Sequence, residues 1–343
     1  MSPRSLPLAT LLGGLLAGGA SPCPAVAAGA PQACAGLLLV ANKGDHTLSI
    51  VDPAAGRQLA AVREGGETGH EVAASPDGRR AYVPVYGSAG VGQAGTDGRL
   101  IDVIDLGTRA VVATIDLGRG LRPHKPVFGP RNGLLYVSTE LDNSVTIIDP
   151  ATLRILGSVP TGRSQSHMLA ISSDGTRGYT ANVGSGTVSV LDLDARALLT
   201  TIPVATMVQR ISLSTDGRWA FTADQTKLRL VVIDTATNAV SASVPLPGIG
   251  FGTTPTPDGK WLLVTLPALR MLGVVDLGRM RVARTIDVPS APQEILVRPD
   301  GGVAYVSCDK SGQVAVIDLK SWRVDRLIDV GPVDDGLAWA GAN

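Results

Sequence analysis

SHMLAISSDGTRGYTANVGSGTVSVLDLDARALLTTIPV, residues 166–204, reads as four short apolar runs with a turn between each pair, and the rest of the chain is built of variations on it. The runs alternate in polarity and are rich in β-branched residues, and Gly, Asp and Asn punctuate them. That is the pattern of antiparallel strands joined by tight turns. Two anchors measure the period. An aspartate closes the third run of each unit at Asp52, Asp105, Asp149, Asp192, Asp234, Asp276 and Asp318, and the last three steps are each 42 residues. A polar turn (SPDG, GPRNG, SSDG, STDG, TPDG, RPDG) places Asp77, Asn132, Asp174, Asp216, Asp258 and Asp300 at or near its centre, in nearly constant phase with the first anchor. Four strands, here named A to D, in a repeat of about 42 residues predict a propeller blade.

The first unit begins in mid-blade. GLLLVAN, TLSIVD and QLAAVRE supply strands B, C and D with no strand A before them, while VDDGLAWAG near the C-terminus has strand-A character and no B after it. Pairing the two in one sheet removes the open edges and closes a ring of seven blades. The expected fold is therefore all-β: a seven-bladed β-propeller of four-stranded antiparallel blades over residues 36–343, closed by pairing the C-terminal strand with the N-terminal blade. Composition agrees. The 343 residues include 41 Gly and 23 Pro, with 3% aromatic and 17% charged residues and a net charge of zero, as suits a loop-rich β protein. No basic patch is visible, which argues against nucleic acid or an anionic membrane as partner.

Residues 1–27 have the plan of an export signal: Arg4, an apolar run from Leu6 to Ala20, then small residues ending in an A-x-A pattern at Ala25 and Ala27. Cleavage after Ala27 predicts an exported protein, periplasmic or secreted, with a tail at 28–35 and no membrane span; an uncleaved anchor is the alternative. Only Cys34 and Cys308 then remain. The blade plan puts them on opposite faces, roughly 17 Å apart across a five-residue strand. That favours two free thiols, and a disulfide requires the tail to fold back.

Three of the four histidines share a register. His70, His124 and His167 each lie six residues before the turn residues Pro76, Pro130 and Ser173, at the start of strand A in consecutive blades; the same register continues through Gln209, Phe251, Gln293 and Asp335. Strand A is innermost, so these positions gather at the mouth of the central tunnel. Three neutral imidazoles are a suitable ligand set for Cu, Fe or Zn. Direct binding of an organic anion by the imidazoles, and plain hydrogen bonding between blades, are the other readings. The interval between Asp52 and Asp105 holds about a dozen extra residues, within YGSAGVGQAGTDGR. They fall between strands B and C, so the loop Gly87–Gly98 projects from the face where strand A begins, over the histidines; an insertion without function is the alternative. Tyr86, Glu140, Asp224 and Asp309, at the ends of B strands, should rim that face. Glu71 and Glu294 adjoin the register.

These positions define a candidate site. His70, His124 and His167 are expected to hold a metal, with Glu71 or Glu140 as proton carrier. Tyr86, Asp224, Gln209, Gln293, Asp309 and Asp335 are expected to contact a small-molecule substrate. The anchor aspartates, needed in every blade, are structural turn caps. No G-x-S-x-G, P-loop or HExxH motif is present.

The B-strand endings YVST at Tyr136, YTAN at Tyr179 and YVSC at Tyr305, each followed within a dozen residues by a close such as VTIID, resemble the YVTN family of β-propellers. The similarity covers essentially the whole chain after the expected cleavage point. It implies the fold and leaves function open, because the family includes surface-layer proteins, periplasmic proteins and relatives of the haem-carrying propeller of nitrite reductases. Seven-bladed propellers also include carotenoid-cleaving oxygenases with His-ligated iron and nitrous oxide reductase with copper. This chain shows three register histidines where the iron oxygenases use four, and it has no CxxCH haem-attachment motif. The functional expectation is an exported metal-dependent oxidoreductase or lyase acting on a small organic substrate. The alternative is a non-catalytic propeller that binds a ligand, cofactor or protein.

Overall fold

The computed structural model describes residues 36–88 and 90–341. The expected signal segment 1–27, the tail 28–35 and Cys34 lie outside the described residues. Every strand expected from the opening stretch forms: Ser166–Ile171, Arg177–Asn182, Thr187–Asp192 and Ala197–Pro203 pair in sequence order as one antiparallel sheet. Six more four-stranded sheets repeat it. The A strands touch one another in cyclic order, the seventh against the first, so the sheets form a closed ring with strand A innermost. The protein is a seven-bladed β-propeller.

Closure follows the expected plan. Asp334–Ala340 pairs with Leu37–Asn42, setting Leu337 opposite Val40 and Trp339 opposite Leu38. The turns are held as their residues dictate. Asp192 Oδ1 accepts the amides of Asp194 and Ala195 at 3.1 and 2.9 Å, and Asp52, Asp234 and Asp318 cap their own C-to-D turns in the same way. In the A-to-B turns Asp174 accepts from Ser172 Oγ and the Thr176 amide, and Gly175 supplies the left-handed residue at φ 69°.

The core lies between blades. Seven separate clusters each join two neighbouring sheets; one joins Leu263, Leu272 and Val274 of the sixth blade to Ile295, Val306 and Ile317 of the seventh, and another joins Tyr305 and Val314 of the seventh to Leu38, Val40 and Leu337 of the first. Alternation in the B and C strands explains this, since each presents one apolar face to either neighbour and both faces are covered. Among the described residues no helix is long and apolar enough to cross a membrane.

Candidate functional site: a histidine mouth beneath a strap

Four of the A strands carry one extra residue at the same level. The ladder steps from Ser166 to Met168 against Asn182 to Ala181, from Pro123 to Pro126 against Thr139 to Val137, from Pro292 to Ile295 against Cys308 to Val306, and from Asp334 to Leu337 against Asn42 to Val40. Each is a bulge, which breaks the two-residue alternation and allows consecutive side chains to turn to the same side. The bulges coincide with the histidine register. In the other three blades strand A begins only at Ala73, Ser212 and Thr253, so His70, Gln209 and Phe251 sit in irregular chain just before it.

The structure brings the three histidines together. The rings of His124 and His167 stack with centroids 3.5 Å apart and planes 33° from parallel, and His70 meets His124 edge-on at 5.4 Å. Gln209 Nε2 lies 3.4 Å from His167 Nε2. All three imidazoles are driven toward the neutral form. Burial holds His70 down at about 4. Burial and the neighbouring rings keep His124 well below the ordinary range, and burial, His70 and Arg210 do so for His167. The Nδ1 atoms of His124 and His167 are buried with no hydrogen-bond partner.

A second cluster adjoins the first. Tyr86 lies 4.6 Å from the His70 ring and 5.4 Å from that of His124, and its hydroxyl donates to Glu140 Oε2. Burial and the Glu140 carboxylate push the Tyr86 phenol upward, so it stays protonated and acts as a donor. Glu140 Oε1 accepts the Gly92 amide at 3.1 Å and Arg122 Nη1 at 3.4 Å, while Oε2 is 4.0 Å from His167 Nδ1. The expected placement of the insertion is thus observed: its described residues, 87–88 and 90–98, strap across the mouth, and Gly92 touches the carboxylate beside the histidines.

Beneath the histidines the axis is filled by charge. Arg210 reaches across the ring, donating through Nη1 to Glu71 Oε1 at 3.0 Å and to Glu294, and through Nη2 to Asp335 Oδ1 at 2.5 Å. Lys125 Nζ bridges Glu71 at 2.6 Å and Glu294 at 3.3 Å, and Lys43 Nζ pairs with Asp335 at 3.0 Å. Burial alone would raise Asp335, but Lys43 and Arg210 outweigh it and hold the carboxyl well below the usual range. These pairs join blades on opposite sides of the ring, so side chains span the tunnel at this level.

This network changes the roles expected of several residues. Glu71, expected as a proton carrier, has both oxygens held by Lys125 and Arg210 and no exposure. It is a structural member of the axial network. Asp335 belongs to the same network. Asp224 is drawn away from the mouth: its carboxylate accepts from the Thr226 and Lys227 amides, the Thr226 hydroxyl and Arg229 Nε, and so caps its own B-to-C turn. Asp309 stays near the rim, 3.7 Å from Lys43, and Gln293 bonds to the Ala291 carbonyl at 3.4 Å. Arg122, Lys125, Lys43 and Arg210 were not singled out from sequence. For Lys125 and Arg210 a signal existed, because they follow the register residue just as Glu71 and Glu294 do.

For a divalent transition ion the donor chemistry of the trio is suitable, since neutral imidazoles with unsatisfied buried nitrogens offer lone pairs. Their placement is not that of ligands converging on one point. Among the described residues no group of three or more His, Cys, Asp or Glu side chains is spaced to hold an ion, because His124 and His167 meet face to face.

Many solved structures share the architecture. A chain of the hydrazine synthase of Kuenenia stuttgartiensis matches with a TM-score of 0.72 at 19% identity, over 82% of this chain and 92% of that one. The dihydro-heme d1 dehydrogenase NirN, in complex with DHE, matches at 0.66 and 17% identity, over 89% of this chain and 76% of that one. The likeness is one of fold. No protein-family model matches the chain, and no curated protein does.

The depressed histidines predict a pH dependence with a definite sign. Between about 4 and the ordinary imidazole value of 6.5, the folded state binds fewer protons at His70 than the unfolded chain does, so stability falls as pH is lowered through that window. Buried Glu64 and Asp334, both raised to about 7 by burial, act oppositely, because there the folded state binds more protons and their contribution is lost as pH rises toward 7. His70→Asn isolates the first effect. Thermal midpoints measured from pH 4 to 7 should show a shallower acid limb in the variant; an unchanged acid limb would contradict a neutral His70 in the folded state.

Proposed function

We propose that this chain is an exported propeller enzyme, an oxidoreductase or lyase, that acts on a small organic substrate at the histidine mouth. The observation that carries this is the trio of neutral imidazoles from adjacent blades, two with unpartnered buried Nδ1 atoms, set beside a Tyr–Glu hydrogen bond under a strap. His70, His124 and His167 are the residues that would hold Cu, Fe or Zn, with the stacked pair parting to do so. A bound ion would supply a Lewis acid or redox centre.

The protein groups contribute the rest. Glu140 accepts a proton and is oriented for it by Tyr86, Gly92 and Arg122. The single phenolic proton of Tyr86 stays on its oxygen and is spent on orienting Glu140. Gln209 adds an amide beside His167. The axial ion pairs fix the strand-A starts from below, and the strap limits water.

That a propeller of like fold, the dihydro-heme d1 dehydrogenase NirN, is found in complex with DHE is compatible with small-molecule binding here. The YVTN-type endings at Tyr136, Tyr179 and Tyr305 support membership of that repeat family, and the plan of residues 1–27 supports export to the periplasm or medium. The stacking of His124 on His167 favours a second reading, a metal-free mouth that binds an organic ligand or a protein partner without catalysis.

Metal analysis of the protein purified after export separates the two. The first reading expects about one Cu, Fe or Zn per chain, falling roughly tenfold or more in the His124→Ala/His167→Ala double variant. No stoichiometric metal, or an unchanged content in the variant, removes it and leaves the second.

A further inference from the structure

We infer that residues 90–97 are a lid over the histidine trio and that Arg122 is the latch that holds it closed and positions Glu140. The inference deepens the site proposed above. It concerns access to the histidines, whatever the mouth binds.

The lid has a fixed neck and a polar tip. At the neck the Gly87 amide donates to the Glu67 carbonyl at 3.0 Å and the Gly98 amide to the Tyr86 carbonyl at 2.8 Å, while Ser88 and Thr96 exchange side-chain and amide bonds. Among the described residues 90–97 none belongs to an interblade core; Val91 is half-buried, and Gly90, Gly92–Thr96 and Asp97 are exposed. A loop without apolar anchors opens at low free-energy cost.

What fastens the tip is Arg122. Its Nε donates to Asp97 Oδ1 at 2.7 Å and its Nη2 to the Gln93 carbonyl at 2.8 Å, and Nη1 lies 3.5 Å from the Gly90 carbonyl. The same Nη1 is 3.4 Å from Glu140 Oε1, and the guanidinium lies over the Tyr86 ring at 5.8 Å. Arg122 is 5% exposed, whereas its lid partner Asp97 is on the surface. One buried fork therefore touches the moving segment on one side and the Tyr86–Glu140 pair on the other. The Gly92 amide, also on Glu140, is released by the same opening. A planar guanidinium with five donors serves this branching role; an ammonium does not.

The test reads accessibility directly, on the full chain freed of metal. Diethyl pyrocarbonate acylates neutral imidazoles, and its rate at each histidine is followed by peptide mass spectrometry. His46, whose partner is Thr68, is the internal reference. In the native protein His70, His124 and His167 should react more slowly than His46. Asp97→Asn, a surface change with no bearing on folding of the blades, should speed the trio several-fold, and Arg122→Gln more than tenfold, with His46 unaltered. Arg122→Lys should behave like Arg122→Gln, because one nitrogen cannot reach Asp97, Gln93 and Glu140 together. Trio rates unchanged in both Asp97→Asn and Arg122→Gln would overturn the lid, and full protection in Arg122→Lys would overturn the forked latch. These outcomes do not depend on metal content, so they fail or succeed separately from the proposed chemistry.

Discussion

Replacing Arg210 by methionine is expected to destabilise the propeller by about 3–5 kcal/mol, because it strands buried carboxylates without their shared cation. Arg210 is 4% exposed and binds Glu71, Glu294 and Asp335, which come from three different blades. With it gone, Lys125 remains for Glu71 and Glu294, and Lys43 for Asp335, so one negative charge is left in excess at the axis. The thermal midpoint should drop by roughly 5–15 °C, and the loss should shrink in acid, where the carboxylates can protonate. Adding Glu71→Gln to Arg210→Met should recover part of the loss, since it removes the excess charge while keeping the shape. An Arg210→Met protein as stable as the native one at neutral pH would mean the axial charges are solvated and the network is not a structural hub.

Deleting residues 334–343 should have a still larger effect, the loss of cooperative folding. The deletion takes away the strand paired with Leu37–Asn42, and it empties places in two interblade cores, Leu337 and Trp339 on one side and Ala338 and Ala340 on the other. Burial of a side chain such as leucine is worth about 1.5–3 kcal/mol, and whole domains are stable by only about 5–15 kcal/mol. The ladder, the two core contributions and the Asp335 ion pairs together exceed that margin. The innermost edge of the first blade would also be left unpaired, a template for association. The expected readout is a broad or absent melting transition with dye binding and aggregation. A circular permutant that joins residues 334–341 to Leu37 through an added turn of the length found between Ile171 and Arg177 should restore a sharp transition, because the same strand then reaches the same partner. A sharp native-like transition in the simple deletion would show that the ring does not depend on this closure.

Much of this architecture is legible because a blade is a local object. Its four strands and three turns lie within about 42 consecutive residues, and Asp174, Gly175 and Asp192 stabilise turns a few residues long. Even the offset of the termini could be read, since a unit lacking strand A at one end and a lone strand A at the other has one economical solution. The histidine register was likewise visible, because a position counted from a turn keeps its place in every blade. Asp224 departs from the role its register position implies. It stands at a B-strand end like Glu140, but Thr226, Lys227 and Arg229 follow it, and a carboxylate with donors two to five residues ahead is captured by its own turn.

The sequence by itself determined the blade, the number of blades, the closure and the face on which histidines and insertion meet, since each depends on periodicity or on chain direction. Only the tertiary structure decided what those residues do to one another. Glu71 and Arg210 each lie in irregular chain just before strand A of blades on different sides of the ring, and ring closure brings them together, so Glu71 is bound by an arginine 139 residues away instead of standing free as a base. His124 and His167 stack at 3.5 Å, and Arg122 joins strap to carboxylate. Such contacts arise when the ring closes and side chains from distant blades compete for one small, dry volume, and no local pattern along the chain records the outcome of that competition.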